Sequence, residues 1–358
     1  MAWSHRLFAV SILLPISVLL QQSSNALAMQ SPAAEDRIVT IDVAVTDKSG
    51  TPIRGLKKQD FTLLDDKQPQ MLTSFRAVDL DAGTPAPPIE IVLVVDAINA
   101  DPLKADHERE GIKKFLQTNG GKLAQPVSLV VVSDSGAKNV HGASTDGNAL
   151  AALLDQEVTG LRTVNRSQGD YGVLERFQMS IKALNSLTDY EASKPGRKLI
   201  IWVSPGWPLM SSGASDLTIK DQQHIFNSII EASTKMRLGH ITLYNVETRG
   251  VYETSMSQFS DYEQFLKGVR SSEQAYPADL SLQVLALQTG GLVLNKSNDL
   301  PGAIADEIAK SARDARSFYV LSFEASRADR ANEFHALAVK LSKPGLTART
   351  RTGYYAQP

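Results

Sequence analysis

The chain reads as an α/β protein: a doubly wound, mostly parallel sheet, with a small β-sandwich-like domain made from strands at its two ends. Three observations predict this. Ile89–Ala97 (IEIVLVVDA) carries six aliphatic residues in its first seven, as a strand buried on both faces in the middle of a parallel sheet does. Behind it, apolar strand-like runs alternate with amphipathic helix-like segments as far as Ala312. Before Asp81 and after Arg316 the pattern changes to two-residue alternation without helices.

Ile38–Thr46 alternates, with Ile41, Val43 and Val45 on one face and Thr40, Asp42 and Thr46 on the other, as a half-buried strand does. Asp47-Lys48-Ser49-Gly50 closes it as a turn. Asp60–Leu64 and Gln70–Val78 are two further strands. Asp81–Pro88 holds three prolines in eight residues and reads as a linker. After the strand at Ile89–Asp96, a helix is expected over Pro102–Thr118, stopped by Asn119-Gly120-Gly121. Pro126–Ser133 is the next buried strand. Asn148–Gln156 is a short helix capped by Asp146, and Tyr171–Ser193 a long one capped by Asp170. Lys198–Ser204 and His240–Val246 are strands, with a helix at Lys220–Arg237 between them. Arg249–Tyr276 is a long polar loop of the kind that is functional or mobile. Asp279–Gln288 and Leu300–Arg313 are helices around a short strand at Leu292–Asn295.

Ser317–Phe323, Glu333–Leu341 and Leu346–Tyr355 are the last strands. Each terminal β region is too small to bury a core alone. The two are therefore expected to pair into one discontinuous sandwich; the rival arrangement adds the last strands to the edge of the central sheet.

These patterns divide the chain into a leader at 1–28, an N-terminal β region at 29–80 forming half of an Ig-like sandwich, a linker at 81–88, an α/β domain at 89–315 and a C-terminal β region at 316–358. Met1–Ala28 reads as a cleavable secretory signal: His5 and Arg6, then apolar Leu7–Leu20 interrupted by Pro15, then a small-x-small site ending at Ala28. That run is short for a membrane span, so the mature chain is expected in the periplasm or outside the cell, with no membrane insertion. A composition of 42% hydrophobic and 21% charged residues fits a soluble globular protein, and a net charge of -2 gives no pull on nucleic acid. The absence of cysteine excludes disulfides, thiolate nucleophiles and zinc-thiolate sites.

The aliphatic strand ending in Asp96, the alternation behind it and the strand Lys198–Gly206 (KLIIWVSPG) together resemble a von Willebrand factor A-type (VWA) domain. The flanks, VTDKSGTPIRGLKKQDFTLLDD from Val45 and FHALAVKLSKPGLTARTRTGYY from Phe334, resemble the secreted bacterial VWFA-related proteins abundant in acidobacteria. This resemblance implies a VWA-like fold for 89–315. It also implies a Mg²⁺ site whose first segment is Asp-x-Ser-x-Ser, completed by a Thr and by a second Asp after the fourth strand. The matching residues are Asp96-Ala97-Ile98-Asn99-Ala100, where both serine positions are apolar. Asn165–Tyr171 has no fitting Thr, and Ser204-Pro205-Gly206 has Pro in place of the acid. One anionic ligand gives a hard cation little advantage over water. The expectation is a degenerate site with no metal, or at most weak Mg²⁺ at Asp96, where Asn99 and Asp101 offer replacement oxygens, and no cofactor.

Ligands of open α/β sheets sit beyond the carboxyl ends of the strands. The binding candidates are therefore Asp96, Asn99, Asp101, Ser204 and Trp207, with the 249–276 loop. Asp96 has a second reading as a cap on the following backbone. Trp207 stands either exposed on the rim, suited to protein recognition, or packed under its own loop. No Gly-x-Ser-x-Gly, His-Glu-x-x-His or phosphate loop is present. Arg349 and Arg351, near Tyr354 and Tyr355, read as a solvated strand face. The function expected is that of an exported, non-enzymatic protein that binds a protein partner through the loop rim. The alternatives are a hydrolase using an acid on that rim and a purely structural envelope module.

Overall fold

The computed structural model describes residues 37–83, 85, 88–100, 105–160, 169–207, 217–248, 258–294, 300–326 and 328–357. They belong to one compact unit, Arg37–Pro358. The expected leader lies outside the described residues. Four strands open the unit: β1 (Ile38–Thr46), β2 (Phe61–Asp65), β3 (Gln68–Gln70) and β4 (Leu72–Asp79). The α/β part follows as β5 (Ile89–Asp96), α1 (Ala105–Leu116), β6 (Lys122–Ser133), β7 (Gly136–Asp146), α2 (Gly147–Gly160), α3 (Gly169–Ala192), β8 (Arg197–Ser204), α4 (Ile219–Leu238), β9 (Ile241–Glu247), α5 (Leu282–Gln288), β10 (Val293–Leu294) and α6 (Leu300–Arg313). Four strands end it: β11 (Ser317–Glu324), β12 (Glu333–Leu341), β13 (Thr347–Arg349) and β14 (Gly353–Ala356).

The central sheet has six strands in the order β10-β9-β8-β5-β6-β7, all neighbours parallel except β6 and β7. From β5 the chain winds outward through β6 and β7, then returns to lay β8 on the other side of β5. The winding direction thus reverses between β5 and β8, which opens a crevice at their carboxyl ends. Two-residue alternation divides β5 between two cores: Ile91, Leu93 and Val95 face α1, α2 and α6, and Val92 and Val94 face α3, α4 and α5. Asp146 caps α2 as its sequence suggests, accepting the Ala149 N–H at 3.0 Å.

The terminal strands interleave into two four-stranded sheets, β13-β1-β11-β4 and β14-β12-β2-β3, each mixing the two ends of the chain. They share one apolar core that includes Ile41, Val43, Leu63, Leu321, Phe323 and Leu337. The last strands do not extend the central sheet. β11 is buried on both faces: Tyr319, Leu321 and Phe323 enter the sandwich core, while Phe318 and Val320 enter the α/β core beside Ile304 and Ile308.

Three differences from the sequence reading have physical causes. The segment expected as one strand over Gln70–Val78 breaks at Met71, which is 84% exposed, because β3 pairs with β2 whereas β4 crosses to β11. Leu346–Tyr355 divides likewise, β13 joining β1 and β14 joining β12. Alternation continues through such corners and does not reveal them. β7 is an additional strand, paired antiparallel to β6 at the sheet edge; it buries no residue, so no apolar pattern marks it. The solvated face expected for Arg349 and Arg351 is also corrected. Arg351 is 7% exposed, and Arg349 reaches Asp314 at 2.6 Å. Among the described residues no helix is long and apolar enough to cross a membrane.

Candidate functional site

Asp96 ends β5 at the crevice, fully buried. Its side chain lies on the face shared by Trp202 and Ser204 of β8, because parallel pairing sets Val94 beside Trp202 and both strands alternate in step. The carboxylate accepts five hydrogen bonds. Oδ1 takes the backbone N–H groups of Ile98 and Asn99, both at 3.0 Å. Oδ2 takes the Asn99 amide at 2.9 Å, the Trp202 indole at 3.0 Å and the Ser204 hydroxyl at 2.8 Å. Asn99 also donates to the Ser180 hydroxyl on α3 at 2.8 Å, and Ser204 accepts the Gly206 N–H at 3.1 Å. One buried carboxylate thus ties the ends of two strands, the turn after β5 and helix α3. Such a charge is stable in the interior only when its lone pairs are met by donors, as they are here.

Three of the five predicted residues, Asp96, Asn99 and Ser204, come together. Asp101 lies outside the described residues. Of the two readings of Trp207 the structure has the packed one: it is fully buried, its ring edge-on to Trp202 with centroids 5.3 Å apart. Gly206, at φ 88, turns the chain back over the sheet, and the indole lands in the core of Val92, Val94 and Leu184. Its Nε1 has no partner among the described residues. Asp96 and Ser204 are equally closed to solvent, so none of these three side chains presents a surface to a macromolecule.

Sequence reasoning treated Trp202 as plain core and passed over Ser180; both belong to the network. A signal for Trp202 was available, since it stands two residues before Ser204 and therefore on the same strand face.

Among the described residues, few oxygens are free to meet a Mg²⁺ ion beside Asp96. The oxygens it would need at the second and fourth positions after Asp96 are replaced by Ile98, which is 3% exposed, and by Ala100. Both Asp96 oxygens already face N–H and O–H donors, which repel a cation.

Two further carboxylates are buried near this end of the sheet, Glu108 of α1 and Glu247 of β9; the Thr248 hydroxyl donates to Glu108. Burial and the charges of Glu263 and Glu247 raise the Tyr262 hydroxyl above its ordinary range. Of the expected 249–276 loop, 249–257 lie outside the described residues. Farther on, Val269 and Ala275 pack with Phe334 and Tyr355 of the sandwich, and the Tyr355 hydroxyl donates to the Val269 carbonyl at 3.0 Å. That part of the loop is a packed element.

In the sandwich, Asp65, Asp66 and His335 converge. His335 Nδ1 lies 3.0 Å from Asp65 and 4.0 Å from Asp66. The Tyr354 hydroxyl donates to the second Asp65 oxygen at 2.8 Å, and Arg270 pairs with Asp66 at 3.1 Å. These contacts join β2, β12 and β14 into one polar network.

No family model matches this chain, and no curated protein matches it. Among solved structures, the TFIIH p34 N-terminal domain is 12% identical, with 62% of this chain and 96% of that one covered at a TM-score of 0.31. The SpRpn10 VWA domain is 10% identical, with 61% and 94% covered at a TM-score of 0.27. The pilus adhesin SpaC from Lactobacillus rhamnosus GG is 10% identical over 84% of this chain, at a TM-score of 0.35, and the match spans 49% of the adhesin.

Proposed function

We propose that this chain is an exported, non-enzymatic, VWA-like protein that recognises a protein partner through the loop rim at the carboxyl end of its central sheet. The observation that carries this reading is the saturation of Asp96 by five protein donors. The acid best placed for chemistry is spent on fixing the turn Ala97–Asn99 against the end of β8. A rim fixed in this way is pre-organised for contact, which lowers the ordering cost of association. Neither a metal nor a cofactor takes part in the proposed recognition, and an acid with no free lone pair supports no hydrolysis. The bacterial VWFA-related resemblance of both flanks supports export.

The test uses rim residues whose side chains lie outside the network. Ala97→Arg and Pro205→Arg, both half-buried at the rim, are compared with wild type by crosslinking in envelope extract. Loss of the same crosslinked partner in both variants, with circular dichroism unchanged, is expected. An identical partner set in all three proteins would remove the rim from consideration. A signal-sequence fusion that retains its reporter in the cytoplasm would refute export.

A further inference from the structure

A second concave site lies at the opposite end of the central sheet from Asp96, where α1, α6 and the first residues of β6 meet. It is a half-open pocket of about 230 Å³ lined by Ile91, Phe115, Leu123 and Ala309. An engineered apolar cavity of ~150 Å³ takes up benzene, whereas drug-sized sites run from ~300 Å³ upward. The space therefore suits a ligand somewhat larger than a single benzene ring.

Two independent features show that this is more than a packing gap. The first is Gln125. Along β6, Leu123, Gln125 and Val127 share the face turned to α1 and α6, so an amide stands where alternation calls for an apolar side chain. Gln125 is 7% exposed, and it lines the site. An amide in that lining can donate an N–H to a ligand held there. The second is charge. Lys122 and Arg313 stand at the mouth, both exposed and neither in an ion pair among the described residues; no acid lines the site. Arg316, also at the mouth, is occupied by Asp81.

We propose that this pocket binds a small amphiphilic carboxylate. Its apolar body fills the space between α1, α6 and the start of β6, and its carboxylate is held by Arg313 and Lys122 at the mouth and by the amide N–H of Gln125. This chemistry is that of a medium-chain fatty acid or an aryl-alkanoate. A neutral ligand would leave the two cations unused, and a cationic one would be repelled by them.

Calorimetric titration of the intact protein with octanoate, octan-1-ol and octylammonium tests this. Octanoate is expected to bind saturably with one site, and octylammonium at least about tenfold more weakly. Arg313→Glu, on the exposed surface, should weaken octanoate about tenfold without changing the melting temperature. Ala309→Leu should fill the space and abolish binding. Gln125→Leu should weaken octanoate, because it removes a ligand hydrogen bond, with the circular dichroism of the free protein unchanged. Equal binding of all three probes, absence of saturable octanoate binding, or wild-type affinity in Arg313→Glu and Gln125→Leu would each overturn the proposal.

Discussion

The Trp202 indole donates its N–H to the carboxylate of Asp96 across two adjacent parallel strands, at 3.0 Å and out of contact with water. Removing the acid would strand that indole together with the Ser204 hydroxyl and the Asn99 amide. Asp96→Ala is therefore expected to lower the unfolding free energy by about 3–5 kcal/mol, as loss of one member of a buried charged network does. Urea denaturation followed by far-UV circular dichroism measures it. A midpoint equal to wild type would mean that the network holds nothing together.

Trp207 should act through stability as well. Its ring is fully buried against Trp202, and truncation of such a residue costs about 3–5 kcal/mol. Trp207→Ala is expected to lose near-ultraviolet dichroism and melt well below wild type. Any partner lost by this variant would be lost through unfolding, which is why the rim is better probed at Ala97 and Pro205.

Asp279 gives the stability a pH dependence. It is 3% exposed, and burial pushes its carboxyl up to about 7, against one N–H from Tyr276 that favours the charged form. In the unfolded chain it ionises near 3.8. Between these values the folded protein holds a proton that the unfolded chain releases. Stability contributed by this group therefore falls as pH rises through that interval, and the penalty is complete above about 7. Asp279→Asn keeps an acceptor for Tyr276 and cannot ionise. It is expected to stabilise the protein by a few kcal/mol at pH ~8 and by far less at pH ~4. Equal effects at both values in paired urea titrations would contradict this account.

The sandwich has its own polar anchor. Tyr354→Phe deletes the hydroxyl that Asp65 accepts at 2.8 Å and leaves one buried oxygen short of a donor. A loss of about 1–3 kcal/mol is expected from thermal melts. Tyr355→Phe, whose hydroxyl donates to the Val269 carbonyl, should cost about 1 kcal/mol.

What the sequence revealed and what it hid follow from burial. Strands with a buried face, such as Ile89–Asp96 and Arg197–Ser204, announce themselves because water selects their residues. β7 does not, since its edge position leaves every side chain at least partly wet. The corners at Met71 and at Thr350–Thr352 keep the two-residue alternation on either side, so a switch of sheet leaves no trace in it. Asp96 is legible as an acid at the carboxyl end of a buried strand. Ser204 is legible as a rim residue and Trp202 as its neighbour on the same strand face, but their bonds to Asp96 are not, because they depend on the register that sets Val94 beside Trp202. The direction taken after Gly206, which decides between an exposed and a buried Trp207, is likewise a property of the folded loop.

The interleaving of the two chain ends has a consequence for synthesis. β1 to β4 find their partners in β11 to β14, with residues 89–313 emerging from the ribosome in between. Through that interval the nascent chain carries unpaired strand edges and the apolar faces of Ile41, Val43 and Leu63 uncovered. During synthesis the sandwich therefore cannot close before the central α/β part has emerged. It is a late closure, made by segments that lie far apart in the chain.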